Sequence, residues 1–217
     1  MTGELFGQDD PPQTARLALA EGALLLRGHA VASQDRLLAA IEQVALAAPF
    51  RNMVTPGGRA MSVAMTNCGC AGWVTDRRGY RYDPLDPETG RPWPEMPGCF
   101  ADLATDAARD AGYPGFRPDA CLINRYAPGA RMGLHQDRDE RDLAQPIVSV
   151  SLGLPAMFQF GGRRRNDPVA KYPLLHGDVL VWGGPSRLNH HGILTLRDGV
   201  HPKTGALRLN LTFRHAL

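Results

Sequence analysis

The apolar positions of this chain change their period part-way along it. Between Gly22 and Gly28 lies the short run Ala-Leu-Leu-Leu-Arg, bounded by glycines, which suits a buried strand. From Ser33 the period turns helical. Leu37, Leu38, Ile41, Val44 and Ala45 recur on one face, Ser33 is placed to cap the start, and Pro49 follows the end. A second helix is predicted from about Pro97 to Ala111, where Phe100, Leu103, Ala104, Ala107 and Ala111 share a face and Gly112 offers a C-terminal cap. The intervening stretch, about residues 50–95, is rich in Gly, Pro and Asp, and a segment of that length in a compact domain reads as a functional lid or short irregular strands.

From Asp119 the pattern becomes a series of short strand-like runs separated by turn formers: Ala120 to Tyr126, Pro146 to Leu154, Met157 to Phe160, Asp178 to Trp182, and Ala206 to Phe213. Helices followed by strands argue an α+β fold. Many short antiparallel strands in one domain argue a two-sheet jelly roll with helices buttressing one face.

Length and charge narrow the picture. The 217 residues suit one domain, with 24 glycines and 18 prolines consistent with many turns. No apolar run reaches the ~18 residues needed to cross a bilayer, and the acidic start lacks the basic and apolar regions of a signal peptide. The expectation is a soluble, cytoplasmic monomer without a membrane partner. Twenty-four Lys and Arg against 22 Asp and Glu leave +2, too little for polyanion binding by bulk charge, so any such site must be local. Cys68 and Cys70 are one residue apart and Cys99 and Cys121 stand alone, which is not the CxxC pairing of a structural zinc site; all four read as free thiols.

The candidate chemistry begins at His135-Gln136-Asp137. In a strand, residues two apart share a face, so an imidazole and a carboxylate would project together. Completed by a distant histidine, this is the facial triad that binds Fe(II) and leaves positions open for substrate and dioxygen. His190 and His191 are both candidates for the third ligand, and only one of them can face a metal from an extended backbone.

The last strand adds a second constraint. Arg208-Leu209-Asn210-Leu211-Thr212-Phe213-Arg214 alternates strictly, with the two arginines at the ends of one polar face. Six steps at ~3.3 Å separate their Cα atoms by roughly 20 Å, a gap that two converging side chains could close around a small dicarboxylate. Such a ligand would chelate iron at one end and pair with guanidinium at the other. The obvious candidate is 2-oxoglutarate. Asn124 and Tyr126, two apart on another strand, could add an amide and a phenol to the same ligand.

At this point an ordered set of motifs is on view: Asn-Arg-Tyr-Ala-Pro-Gly-Ala (124–130), Leu-His-Gln-Asp (134–137), Val-Ser-Val-Ser-Leu-Gly (148–153), Phe-Gln-Phe-Gly-Gly (158–162), Arg-Asn-Asp-Pro (165–168), His-Gly-Asp-Val (176–179) and Asn-Leu-Thr-Phe-Arg (210–214). Together they closely resemble the bacterial AlkB family, iron- and 2-oxoglutarate-dependent dioxygenases that repair alkylated nucleic-acid bases. The match is dense from Asp119 to His215 and sparser in Met65, Gly72-Trp73 and Gly79-Tyr80-Arg81-Tyr82.

The resemblance implies a double-stranded β-helix (jelly roll) core over about 119–215, N-terminal helices and a nucleotide-recognition lid over about 50–95, all in one domain spanning 1–217. By position, His135, Asp137 and His191 match the family's iron ligands, and Asn124, Tyr126, Arg208, Asn210 and Arg214 its 2-oxoglutarate contacts. Trp73, Tyr80, Arg81, Tyr82, Asp139 and Arg165 match its substrate positions. Two departures stand out: Asn189-His190 where relatives carry aromatics, and Arg131 where they carry lysine. The implied activity is oxidative demethylation of 1-methyladenine and 3-methylcytosine in single-stranded DNA, with RNA as a further polymer. Fe(II), 2-oxoglutarate and dioxygen are the implied cofactor and co-substrates, and succinate and formaldehyde are released. The competing readings are a hydroxylase of the same class acting on RNA only, a protein or a small molecule, and an iron-free jelly-roll binding module.

Overall fold

The computed structural model describes residues 15–217. The acidic start, on which the absence of a signal peptide was argued, lies outside the described residues. Thirteen strands and two helices follow in order: β1 Arg16–Ala20, β2 Ala23–Leu26, α1 Gln34–Ala47, β3 Ala64–Gly69, β4 Gly72–Asp76, β5 Gly79–Asp83, α2 Gly98–Asp110, β6 Ala120–Tyr126, β7 Met132–His135, β8 Ile147–Gly153, β9 Ala156–Phe160, β10 Ala170–Leu174, β11 Val179–Trp182, β12 His191–Ile193 and β13 Arg208–Arg214. They form a seven-stranded sheet in the order β1-β2-β11-β8-β13-β6-β3, a four-stranded sheet β10-β9-β12-β7, and the hairpin β4-β5.

The alternation along β13 explains the layering. Leu209, Leu211 and Phe213 join one apolar cluster with Leu37, Ile41 and Val44 of α1 and Phe100, Leu103 and Ala107 of α2, so both helices cover one face of the large sheet. A second cluster, including Leu122, Leu180 and Trp182 of the large sheet and Phe158, Phe160 and Ile193 of the small one, fills the space between the sheets. The polar residues of β13 point into that same space. Because β13 lies between β6 and β8 with near-continuous pairing to both, all seven of its residues are buried. The two sheets packed face to face are the jelly roll the strand pattern argued for, with the helices on the outer face.

The two helix ends compare differently with the sequence reading. Ser33 occupies the N-cap of α1 but makes no side-chain capping bond. A 3-10 turn over Val31–Ser33 precedes the helix and holds Ser33 through its backbone, with the Ser33 amide donating to Ala30 O at 3.1 Å. Gly112 ends α2 as anticipated. At φ +90° it lets its own amide reach Arg109 O at 3.0 Å and the Tyr113 amide reach Ala108 O at 2.8 Å, a Schellman closure. Within 50–95 the chain is more regular than its composition suggested: β3 pairs with β6 at the edge of the large sheet, and β4 and β5 form the separate hairpin. No helix among the described residues is long and apolar enough to cross a membrane.

Candidate metal and co-substrate site

β7 and β12 are adjacent in the small sheet, and His135 and His191 are register partners across them. Their rings therefore lie side by side, centroids 4.4 Å apart. Asp137 sits two residues beyond β7's end, where its carboxylate reaches both rings: Oδ1 is 3.5 Å from His135 Nε2 and Oδ2 is 3.7 Å from His191 Nε2. The ligand atoms of the three side chains all fall within 4.8 Å of one another.

The ring nitrogens on the far side are committed to backbone carbonyls, His135 Nδ1 to Gly133 O at 2.9 Å and His191 Nδ1 to Asn189 O at 3.0 Å. A carbonyl only accepts, so each Nδ1 carries the hydrogen and each Nε2 offers its lone pair toward Asp137, the tautomer a metal requires. Burial and the neighbouring His135 lower the pKa of His191, against the pull of Asp137, which favours the neutral ligand form. Burial would raise the Asp137 carboxyl, but Arg214 and then the two histidines outweigh it and hold it well below the usual carboxylate range. Burial lowers the His135 pKa, but Asp137 and the Gly133 carbonyl outweigh it and raise it, so a metal would have to displace that proton. Two imidazoles and one carboxylate are the donor set of a non-haem iron facial triad.

A second test of fit lies deeper between the sheets. Arg208 is buried, donates Nη2 to Ser151 Oγ at 3.0 Å, and leaves Nε and Nη1 without any partner. Asn124 Oδ1 is likewise buried and unpaired. Burial lowers the Arg208 pKa and only Tyr126, whose ring lies 4.9 Å below the guanidinium, opposes this. A buried arginine stays charged, so a cation with two idle donors calls for an anion. Arg208, Asn124, Tyr126, Asn210 and Arg214 line one cavity with His135, Asp137 and His191. The cavity thus joins a buried cation to the triad, an arrangement that fits a dicarboxylate chelating at one end. Arg214 is less free than Arg208. Its Nη2 donates to Asp137 Oδ2 at 2.5 Å and its Nε is 3.1 Å from Glu140 Oε1.

A larger cavity of about 380 Å³ opens on the other side of His135 and Asp137. Trp73 and Tyr80 of the hairpin line it as a stacked pair, centroids 5.7 Å apart at 18°. The Trp73 indole donates to Asp139 Oδ2 at 2.9 Å. Arg165 also lines it and donates to Leu134 O at 3.0 Å; His190 lines it too, while its neighbour His191 takes the triad position.

Arg81 and Tyr82 are not brought to this cavity. Alternation in β5 turns Arg81 away from the face that carries Tyr80, and it pairs with Asp76 and Asp83. Tyr82 shares the face but reaches inward, donating to Glu140 Oε1 at 2.8 Å. Burial holds its phenol well above the ordinary value despite the opposing effect of Arg214, so it remains the donor. Glu140 and Arg187, both buried around the triad, were not singled out in the sequence. Glu140 sits in the run Asp137-Arg138-Asp139-Glu140, where nothing separates a buried carboxylate from a solvated one.

Comparison with known proteins agrees with this geometry. The pattern of the 2OG-Fe(II) oxygenase superfamily matches residues 22–214. The chain is 59% identical over 213 residues to the alpha-ketoglutarate-dependent dioxygenase AlkB of Escherichia coli strain K12, spanning 98% of this chain and 97% of that one. It is 32% identical over 185 residues to the DNA N(6)-methyladenine demethylase ALKBH1C of Arabidopsis thaliana, covering 73% of this chain and 41% of that protein. The solved structure of OsALKBH1 superposes with a TM-score of 0.83 at 29% identity, over 92% of this chain and 99% of that one. The chain therefore belongs to the 2OG-Fe(II) oxygenase superfamily and, within it, to the AlkB family of dioxygenases.

Proposed function

We propose that the protein removes methyl groups from alkylated bases, 1-methyladenine and 3-methylcytosine foremost, in single-stranded DNA and in RNA. The observation that carries this reading is the Trp73–Tyr80 aromatic pair with Asp139, set over the cavity that His135 and Asp137 also line. A flipped base has a π-face for such a platform, and an N1- or N3-methylated base is cationic, which favours an aromatic ring and a carboxylate together. The similarity to a plant DNA demethylase supports nucleic acid as the substrate class.

In this reading His135, Asp137 and His191 hold Fe(II), and Arg208, Arg214, Asn124, Tyr126 and Asn210 hold 2-oxoglutarate. Bound iron with 2-oxoglutarate and dioxygen supplies the oxidising equivalents that hydroxylate the N-methyl carbon, while the keto acid leaves as succinate and carbon dioxide. The hydroxymethyl group then departs as formaldehyde and the base is restored. Arg208 orients the keto acid by its distal carboxylate, and the apolar wall of Phe158, Trp182 and Ile193 limits water at the reacting centre. The hairpin β4-β5, within about 50–95, acts as the recognition lid, and 119–215 forms the catalytic core. Arg165 grips the strand's phosphates, whereas Arg81 stays engaged with Asp76 and Asp83 on the other face of the hairpin. Both cavities are built within one chain, which supports action as a monomer, and the free cysteines suit a reducing cytoplasm.

The test is a mass-resolved repair assay on short single-stranded oligonucleotides, DNA and RNA, carrying one 1-methyladenine or 3-methylcytosine, with Fe(II), 2-oxoglutarate and ascorbate. Loss of one methyl with matching succinate and formaldehyde is the expected result. Succinate without demethylation of any oligonucleotide would leave the iron site standing and overturn the substrate.

A further inference from the structure

Behind the triad lies a buried carboxylate for which the reaction itself has no use. The Glu140 side chain is 2% exposed and takes donors from three separate parts of the fold. Tyr82 of β5 donates its hydroxyl to Oε1 at 2.8 Å, Arg187, from the turn after β11, donates Nη2 to Oε2 at 3.0 Å, and Arg214 at the end of β13 places Nε 3.1 Å from Oε1.

Both arginines also hold Asp137. Arg187 donates Nη1 to the Asp137 backbone carbonyl at 2.7 Å, and Arg214 donates Nε and Nη2 to the Asp137 carboxylate at 3.1 and 2.5 Å. The Arg214 Nε is thus shared between the two acids, so the orientation of Glu140 sets the plane of the guanidinium, and that plane sets the rotamer of Asp137. On the other side, Tyr82 is the register partner of Trp73 in the hairpin, and Tyr80 stacks on Trp73. One unbroken chain of contacts therefore runs from the aromatic platform through Tyr82, Glu140 and Arg214 to Asp137.

We infer that Glu140 is a positioning residue that couples the recognition hairpin to the metal-binding carboxylate, so that a methylated strand and the loaded metal centre strengthen each other's binding. This rests on the proposed roles of Asp137 in metal binding and of the hairpin in substrate binding. A buried carboxylate met by three donors has two discrete states, satisfied or broken, and coupling between sites needs such an element. By reciprocity, the factor by which Mn(II) and 2-oxoglutarate raise affinity for the strand equals the factor by which the strand raises theirs.

The test uses the whole protein without oxygen. Affinity for a fluorescent five-nucleotide strand carrying 1-methyladenine is measured by anisotropy with and without Mn(II) plus 2-oxoglutarate, and Mn(II) affinity by electron paramagnetic resonance. Tyr82→Phe removes one donor and leaves both arginines in place, and Glu140→Gln keeps the shape and weakens all three contacts. The wild type is expected to bind the strand about tenfold more tightly when loaded. In Tyr82→Phe that ratio falls toward one while Mn(II) affinity in the absence of DNA stays within about twofold, and in Glu140→Gln the ratio and the Mn(II) affinity both fall. A ratio of one in the wild type, or a wild-type ratio in both variants, overturns the coupling. Asp137→Ala separates the underlying reading: undiminished Mn(II) binding there removes the metal assignment and the coupling with it, whereas lost binding there beside wild-type ratios in the other variants removes the coupling alone.

Discussion

The Arg208 guanidinium lies 4.9 Å over the Tyr126 ring, and two of its nitrogens have no partner although the side chain is buried between the sheets. Stacking on a phenol orders the guanidinium without neutralising it. Arg208→Met should therefore weaken 2-oxoglutarate binding to the Mn(II) protein by about 3 kcal/mol, roughly a hundredfold, the usual loss when one member of a buried hydrogen-bonded charge pair is truncated. Metal affinity without the keto acid should change little. Calorimetric titration checks both, and an unchanged dissociation constant would remove Arg208 from the co-substrate site.

Trp73 and Asp139 form the other pair, an indole donating to a carboxylate beside the large cavity. Their joint effect is to prefer a positively charged base. Trp73→Ala should reduce affinity for strands carrying cationic 1-methyladenine more than for strands carrying neutral 3-methylthymine. The difference should be about 0.5–2 kcal/mol, the range of a cation over an aromatic face. Asp139→Asn should narrow the same preference, and because Asp139 is exposed its effect should shrink as salt rises. Competition anisotropy with the two strands at two ionic strengths reads this; equal losses for both bases would exclude the slot as the reader of charge.

Adjacent histidines make the metal assignment easy to check. His191 pairs in register with His135 and points Nε2 toward Asp137, while His190 Nδ1 is 3.3 Å from Gly162 O and its ring lines the large cavity instead. His191→Ala should lower Co(II) affinity by more than the ~10–100-fold typical of losing a mere supporting residue. His190→Ala should keep it within about threefold. The Co(II) absorption spectrum of the two variants distinguishes them, and the reverse ranking would move the ligand by one residue.

What could be read in advance follows from how many faces of each strand are buried and how long it is. The seven-residue alternation of β13 was legible because its apolar face meets helices and its polar face meets a ligand cavity, and Asn124 and Tyr126 were legible for the same reason on β6. β3 was not, because both of its faces are buried and Ala-Met-Thr-Asn-Cys-Gly carries no alternation. β12 is only three residues, His-Gly-Ile, too short for any period, so the choice between His190 and His191 needed the resemblance and then the register with β7. Arg81 and Tyr82 share a motif with Tyr80, but strand alternation and one buried acid send the three side chains to different places. Glu140 could not be found from a charge run whose neighbours are solvated; only packing against Arg187 and Arg214 distinguishes it.

A buried ion pair braces the segment that follows the hairpin. Arg51 grips Asp86 with both terminal nitrogens, at 2.9 and 2.6 Å, and the Arg51 backbone pairs with Met65 of β3, which lines the large cavity. Burial raises the Asp86 carboxyl, but Arg51 and backbone hydrogen bonding outweigh it, and the folded pKa is depressed. A depressed carboxylate stabilises the fold fully above its unfolded value, about 3.9, and that contribution disappears as pH falls through the folded value. Asp86→Asn should therefore cost about 3 kcal/mol at pH 7, as breaking one side of a buried ion pair does. The gap to the wild type should begin to narrow as pH drops below about 4, by no more than about 1.4 kcal/mol per pH unit for one carboxylate. Urea unfolding of both proteins from pH 7 to pH 3 measures the gap directly. A difference that stays constant with pH would mean that Asp86 acts through shape and its turn hydrogen bonds, and that its charge contributes nothing to holding β3 against the cavity.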